Sequence, residues 1–422
     1  MIYVARAGTV VSEIMAYLGS ARGLARVAIV LGIVLRLADY ANDRALWLDE
    51  KFLGENVIGR PIFEFDRQLV HDQLAPPGFL VVARASSRVL GASPHALRFF
   101  PLVCGVASLF LLEAVARRSI AARAVPLVLA LAAVSDDLIY YSTEFKQYMS
   151  DLVIALGCLL LAWDLEEREL TPRRLAMAAG LGVAATWFSL PSVFMLAGAG
   201  LWLAVRAVSA RRRHRLASLA VLGVAWGASF AACFVVSSRL LGESRFMWSW
   251  WDFAFLRLPP RSLADAERVF WQFVNVFSNP VGIVSPLGPP GTALLALALF
   301  TLGSFSLASK RRWGVLVALT APIVLVMIAS SLRRFPFHGR LLLFLVPSFL
   351  LLIAEGADAI GRRFGRTAMA VVVVLLLISP TVQSLDQIDR PRSRTFDSHG
   401  DQRNDLLDYL DARRRAQALP RH

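Results

Sequence analysis

The chain has 422 residues, of which 56% are hydrophobic, and a mean hydropathy of +0.56. That excludes an ordinary soluble domain, whose apolar share is about 45–50%. The formal charge of +14 comes almost wholly from arginine, with lysine only at Lys51, Lys146 and Lys310. It is spread through the loops between apolar runs, which excludes a nucleic-acid binder with one basic face and fits membrane topology.

Residues 1 to 20 lack the basic, apolar and cleavage-site order of a removable signal peptide, so the first span is expected to serve as the anchor. Runs of roughly 17–25 apolar residues predict helices, since lipid requires every backbone group to be satisfied internally. The predicted spans are about 24–41, 97–116, 122–141, 145–163, 174–190, 191–207, 216–240, 291–309, 313–332, 338–356 and 367–385. The fold class is therefore an all-α polytopic membrane protein with about eleven transmembrane helices. The alternating segments of roughly ten residues that a membrane barrel needs do not stand out. No internal repeat or low-complexity tract is visible.

Residues 77–90 are apolar but short, and carry Arg84 and Arg88 one turn apart. They are read as an interfacial helix in the first outer loop, with both arginines on its wet face. The charge rule supports this choice. With 74–90 kept outside, the basic groups Arg117, Arg118 and Arg123, Arg173 and Arg174, Arg211 to Arg215, Lys310 to Arg312, and Arg362, Arg363 and Arg366 all fall inside. The reading that follows is a transmembrane domain over 1–385, with a first outer loop at 42–96 and a second long outer loop at 241–290. A short charged tail, 386–422, would lie on the outer face.

Four polar features then share that face. Leu46-Trp47-Leu48-Asp49-Glu50-Lys51 places two carboxylates just beyond the first span, where they suit a base or a cation site, although a helix N-terminus also favours acids. The same loop holds Asp66, His71, Asp72 and Gln73 before Pro76-Pro77. The turn Tyr140-Tyr141-Ser142-Thr143-Glu144-Phe145-Lys146-Gln147-Tyr148 adds Tyr141, Glu144, Lys146 and Tyr148; a helix starting near Glu144 would put Glu144 and Tyr148 on one face and point Lys146 elsewhere. Arg333, Arg334, His338 and Arg340 break the positive-inside trend, and arginine forks match phosphate oxygens; anchoring to anionic headgroups is the plainer account. In the long loop, Trp248, Trp250 and Trp251 and the stripe Val269, Phe270, Phe273, Val276 and Phe277 read as interfacial helices with an aromatic belt, sugar stacking being the alternative. Cys104, Cys158 and Cys233 lie inside apolar spans and read as packing residues.

In this order, Leu46 to Glu50, Gln73-Leu74-Ala75-Pro76-Pro77, Tyr140 to Tyr148, and Phe335-Pro336-Phe337-His338-Gly339-Arg340-Leu341-Leu342-Leu343-Phe344 resemble bacterial membrane glycosyltransferases of family 39 type. These are relatives of the protein O-mannosyltransferases and the lipid A aminoarabinose transferases. The resemblance covers about 24 to 385 and implies a GT-C fold and a polyprenyl-phosphate sugar donor. It implies Asp49 as the base, Glu50 orienting Asp49 or the acceptor, and Arg340, with Lys146, stabilising the departing phosphate. His71, Asp72, Gln73, Tyr141, Glu144, Tyr148, Arg334 and His338 would complete the substrate site. No metal is required, although a divalent cation at Asp49 and Glu50 is conceivable. The chain departs from the family's larger members in having a charged tail where they carry a folded outer domain, and in Lys51.

The expectation is a transferase that moves a sugar to a lipid or cell-envelope glycan, with inversion, at the outer face of a bacterial inner membrane among membrane lipids. A transporter or lipid flippase is the alternative, but it usually shows paired Gly/Pro-broken helices at the midplane, which are not seen here. A noncatalytic scaffold is the third reading.

Overall fold

A computed structural model describes residues 19–65, 67–241, 245–283 and 291–389. Asp66 and the tail from 390 lie outside the described residues. Among those described there is no strand, and the long helices assemble into one bundle.

The first helix, α1 (Ala21–Ala41), starts at Ser20, whose hydroxyl takes the Gly23 amide at 3.1 Å. Two shorter helices, α2 (Leu48–Gly59) and α3 (Pro77–Leu90), follow inside the first polar loop. Next comes α4 (Pro94–Ser119), with Ser93 as its cap and proline at its first position. The predicted span at 122–141 is instead two helices, α5 (Val125–Val134) and α6 (Asp136–Ser142), bent by 61° at Ser135. Ser135 ends one helix and caps the next by accepting the Leu138 amide. Arg36 of α1 donates to the Ala132 carbonyl that the break leaves without a helical partner, and to Ser142 on the far side of the bend. Single-residue patterning carried no sign of that tertiary clamp.

The bundle continues with α7 (Tyr148–Glu167), α8 (Pro172–Phe188), α9 (Ser192–Ser209), α10 (Arg213–Leu241), the short α11 (Arg245–Trp250), α12 (Leu263–Ser278), α13 (Gly291–Ser309), α14 (Trp313–Ser331) and α15 (Val346–Asp389). Gly365 interrupts α15 with φ +91°, a conformation open to glycine. A straight helix would hold Gly361 and Met369 about 12 Å apart. Instead the Met369 Cβ lies 3.2 Å from where a Gly361 Cβ would sit, so α15 is a tight helical hairpin and supplies the last two predicted spans. Close backbone approach joins α13 to α15: a Cβ on Gly303 would fall 1.9 Å from the Leu352 carbonyl oxygen, and one on Gly356 2.0 Å from that of Leu299. Small residues at such crossings are how helices pack where lipid supplies no hydrophobic drive.

Among the described residues seven helices, eight with the bent pair, are long and apolar enough to cross a membrane. The count is lower than eleven for physical reasons. The hairpin is one continuous segment in that tally, α1 carries Arg26, Arg36 and Asp39, and α8 has only 17 residues. The protein is a multi-pass membrane protein.

A second, smaller core lies under the first loop. Leu46, Leu53, Val57, Phe65, Leu69, Ala75, Phe79, Leu80, Ala83, Leu97 and Phe145 pack together, so the segment from 46 to 83 is a folded cap on the bundle. Arg84 bonds the Ile58 carbonyl at the end of α2 at 2.9 Å, which ties α3 to α2, whereas Arg88 is exposed.

Candidate active site

The cap and the bundle meet at Glu50. Its side chain is wholly buried, which is tolerable only because each oxygen is met twice. Oε1 accepts from Arg98 Nε at 2.9 Å and from the Phe145 amide at 2.7 Å; Oε2 accepts from Arg98 Nη2 at 2.7 Å and from the Trp47 amide at 3.1 Å. Burial works against the charge, but the Arg98 fork outweighs it, and the Glu50 carboxyl lies below its usual range. The same guanidinium binds the Arg44 carbonyl at 2.6 Å. One ion pair thus fixes the start of α2, α4 and the turn before α7.

Asp49, the neighbour on α2, faces the other way. Its Oδ2 accepts from Arg340 Nη2 at 2.9 Å, and the two side chains are 25% and 18% exposed. Burial would raise the Asp49 pKa; Lys146 and Arg340 outweigh it and hold the carboxyl below its ordinary value. Arg340 lies over the rings of Trp47 and Tyr148, at 5.9 and 5.6 Å from their centroids. Lys146 is buried and donates to Gln73 Oε1 at 2.5 Å. Burial pushes the Lys146 pKa down, with Asp49 pulling partly the other way. Trp47 Nε1 donates to Glu144 at 3.2 Å. The arrangement is a partly open acid and base pair, backed by an ammonium and floored by tyrosines.

The turn that presents Gln73 is bent locally. His71 and Asp72 have φ of +61° and +52°, uncommon for such residues. His71 stacks on Phe52 at 3.9 Å and pairs with Glu55 at 3.0 Å, which holds the conformation.

Comparisons with known proteins leave the family open: no family model matches, and no curated protein matches. Solved structures do match. ArnT from Cupriavidus metallidurans bound to undecaprenyl phosphate aligns with a TM-score of 0.54 and 14% identity over 87% of this chain and 78% of that one. The oligosaccharyltransferase AglB from Archaeoglobus fulgidus, in complex with an inhibitory peptide and a dolichol-phosphate, aligns with a TM-score of 0.53 and 11% identity over 87% of this chain. The fold is GT-C-like. The chain spans 56% of the length of AglB.

On this GT-C-like bundle the first loop, the turn before α7 and the segment after α14 converge. Asp49, Gln73, Glu144, Lys146, Tyr148 and Arg340 gather in one place; Tyr141 is buried behind Tyr148, their rings 5.4 Å apart. Glu50 serves the scaffold, its lone pairs taken by Arg98 and two amides. It and Asp49 diverge, so they do not chelate one ion, and among the described residues no three His, Cys, Asp or Glu side chains are grouped to hold a metal. His71 and Asp72 lie one step back, in the bent turn before Gln73, whose amide donates to the His71 carbonyl at 3.2 Å. Arg334 is exposed and off the site. His338 is partly exposed, edge-on to Phe253 at 5.0 Å; partial burial and then Arg340 lower its pKa. The expected helix start near Glu144 is corrected: α7 begins at Tyr148, and because 143–147 is a loop, Lys146 and Glu144 both turn toward the first loop.

Sequence reasoning missed Arg98 and Arg44. Arg98 had a readable sign, a lone cation in the first turn of an apolar span facing a Glu in the loop before it. Arg44, over Tyr140 at 4.1 Å and bonded to the Thr143 carbonyl at 2.6 Å, had none.

Proposed function

We propose that this protein transfers a sugar from a polyprenyl-phosphate carrier to a lipid or cell-envelope glycan on the outer face of a bacterial inner membrane. The observation that carries the reading is the contact between Asp49 and Arg340, a partly exposed carboxylate and guanidinium side by side next to the buried Lys146 and Glu144. Glycosyl transfer needs this pairing of charges. The acceptor hydroxyl gives its proton to a base while its oxygen bonds the anomeric carbon. The bond from that carbon to the phosphate oxygen breaks, and the phosphate leaves with the electron pair. Asp49 takes the proton; Arg340 and Lys146 neutralise the phosphate. Attack from the side opposite the phosphate inverts the anomeric centre. The two solved structures with prenyl phosphates bound support a lipid-linked donor.

The test is release of free polyprenyl phosphate from a panel of labelled polyprenyl-phosphate sugars, with membranes carrying wild type or Asp49→Asn and a membrane extract as acceptor source. Release by wild type alone supports the reading. No release from any donor by folded protein overturns it in favour of transport or scaffolding, and movement of labelled lipid across vesicles without a glycosidic product would identify transport.

A further inference from the structure

The site at rest is already charge-balanced. Two cations, Arg340 and Lys146, face two carboxylates, Asp49 and Glu144, since the nearby Glu50 is committed to Arg98. A phosphate group entering such a site is met by as much negative as positive charge. It gains a strong partner only when one carboxylate releases its cation. Glu144 is fully buried and is held by the Trp47 indole, so it is poorly placed to yield. Asp49 is the more exposed of the two and is joined to the very guanidinium that best matches a phosphate. Lys146 is held by a neutral amide, Gln73, which an anion displaces without opening an ion pair.

We propose that Arg340 keeps Asp49 in reserve and that the donor's phosphate releases it by exchanging partners on Arg340. This rests on Arg340 as the phosphate ligand in the function proposed above. The consequence is an order of events. Before the donor binds, Oδ2 of Asp49 accepts an Arg340 N–H and the ion pair lowers the basicity of the carboxylate, so the acceptor hydroxyl, or water, meets a weakened base. Once the phosphate is seated, Arg340 bonds its oxygens and Asp49 faces the acceptor beside the anomeric carbon. The donor binds first, and the base reaches its full strength only when there is a sugar to transfer. The guanidinium that stabilises the leaving group is also the latch on the base.

The exchange makes an unusual prediction for binding. Asp49 competes with phosphate for Arg340, so removing its charge tightens the hold on polyprenyl monophosphate even as it abolishes transfer. The experiment is equilibrium binding of undecaprenyl monophosphate to the full chain in lipid nanodiscs, with wild type, Asp49→Asn, Asp49→Ser, Glu144→Gln and Arg340→Ala, each checked for folding by thermal unfolding. The expected result is at least tenfold tighter binding by both Asp49 variants, a clearly smaller tightening for Glu144→Gln, which removes a charge without opening the ion pair, and at least tenfold weaker binding for Arg340→Ala. Binding by the Asp49 variants at or below wild-type affinity, with Arg340→Ala weakened, overturns the exchange and leaves the phosphate site standing. Tightening by Glu144→Gln equal to that of the Asp49 variants also overturns it, because loss of any negative charge would then suffice. Unchanged binding in Arg340→Ala overturns the phosphate site itself, and the exchange with it.

Discussion

The two ends of the bundle handle buried charge in opposite ways. At the end away from the site, Glu355 and Asp358 of α15 are buried, and their partners reach in from outside. Glu355 accepts from Lys310 at 2.5 Å and Ser306 at 2.7 Å, while Asp358 is bonded by Arg123 and Arg362. Those cations stay wet, with Lys310 36% and Arg123 59% exposed. At the site end the cations themselves are buried: Arg98 is 4% exposed and Lys146 5%. Long side chains that keep their heads in water hold an end together at little desolvation cost. Taking ammonium and guanidinium groups out of water is expensive and is sustained only by full hydrogen bonding. The difference marks the end built to act on something.

The largest expected effect is on chemistry. Asp49→Asn should lower transfer by roughly 10²–10⁴-fold, the usual contribution of a positioned base, with thermal stability near wild type; a rate within threefold of wild type would remove the base from Asp49. Next comes stability. Arg98→Leu orphans Glu50 and should cost about 3–5 kcal/mol, whereas Arg123→Ala, at an exposed partner, should cost less than about 1 kcal/mol. Thermal unfolding of the two purified variants tests the contrast, and equal losses would break it.

A smaller effect concerns pH. The Lys146 pKa is lowered by burial, so its charge is lost as pH rises through a value below the ordinary 10.5. The Asp49 pKa is lowered as well, so its charge survives until pH falls below the ordinary 3.8. Transfer should therefore fail on the alkaline side before ordinary lysines titrate, and Lys146→Arg should move that limb upward; an unmoved limb would assign it elsewhere. For folding the sign is opposite to that for transfer: a depressed ammonium pKa means the burial of Lys146 costs stability at neutral pH, and the cost is relieved as pH rises. Smallest of all, Lys310→Ala leaves Glu355 with Ser306 and with Arg362 at 3.5 Å, and should shift stability by under about 1 kcal/mol.

The helices were legible wherever an apolar run met an ordinary cap, as in α4 with Ser93-Pro94 and α8 with Thr171-Pro172. The bend at Ser135 was not, because the group that meets the Ala132 carbonyl there is Arg36, 96 positions upstream. Within the site, residue types pointed to Asp49, Lys146 and Arg340. Their pairing was beyond reach, since Arg340 meets Asp49 across 291 positions. Adjacent carboxylates look alike in a sequence, and only the position of Arg98 separates Glu50, a scaffold residue, from Asp49.

The tight turn at Gly365 has a consequence for biosynthesis. It brings the end of α15 back to the beginning of the bundle, where Gln387 donates to Asp39 at 3.2 Å and Asn42 bonds the Ile388 carbonyl at 3.1 Å. Asp39 is also the acceptor for Thr143, in the turn that carries Glu144 and Lys146. Asp39 is synthesised 348 residues before Gln387, and at about 5–20 residues per second that interval is roughly 17–70 s. A nascent chain therefore inserts nearly all its helices before the first loop gains its last support, and a chain that stops short of α15 leaves the ribosome with Asp39 lacking that partner.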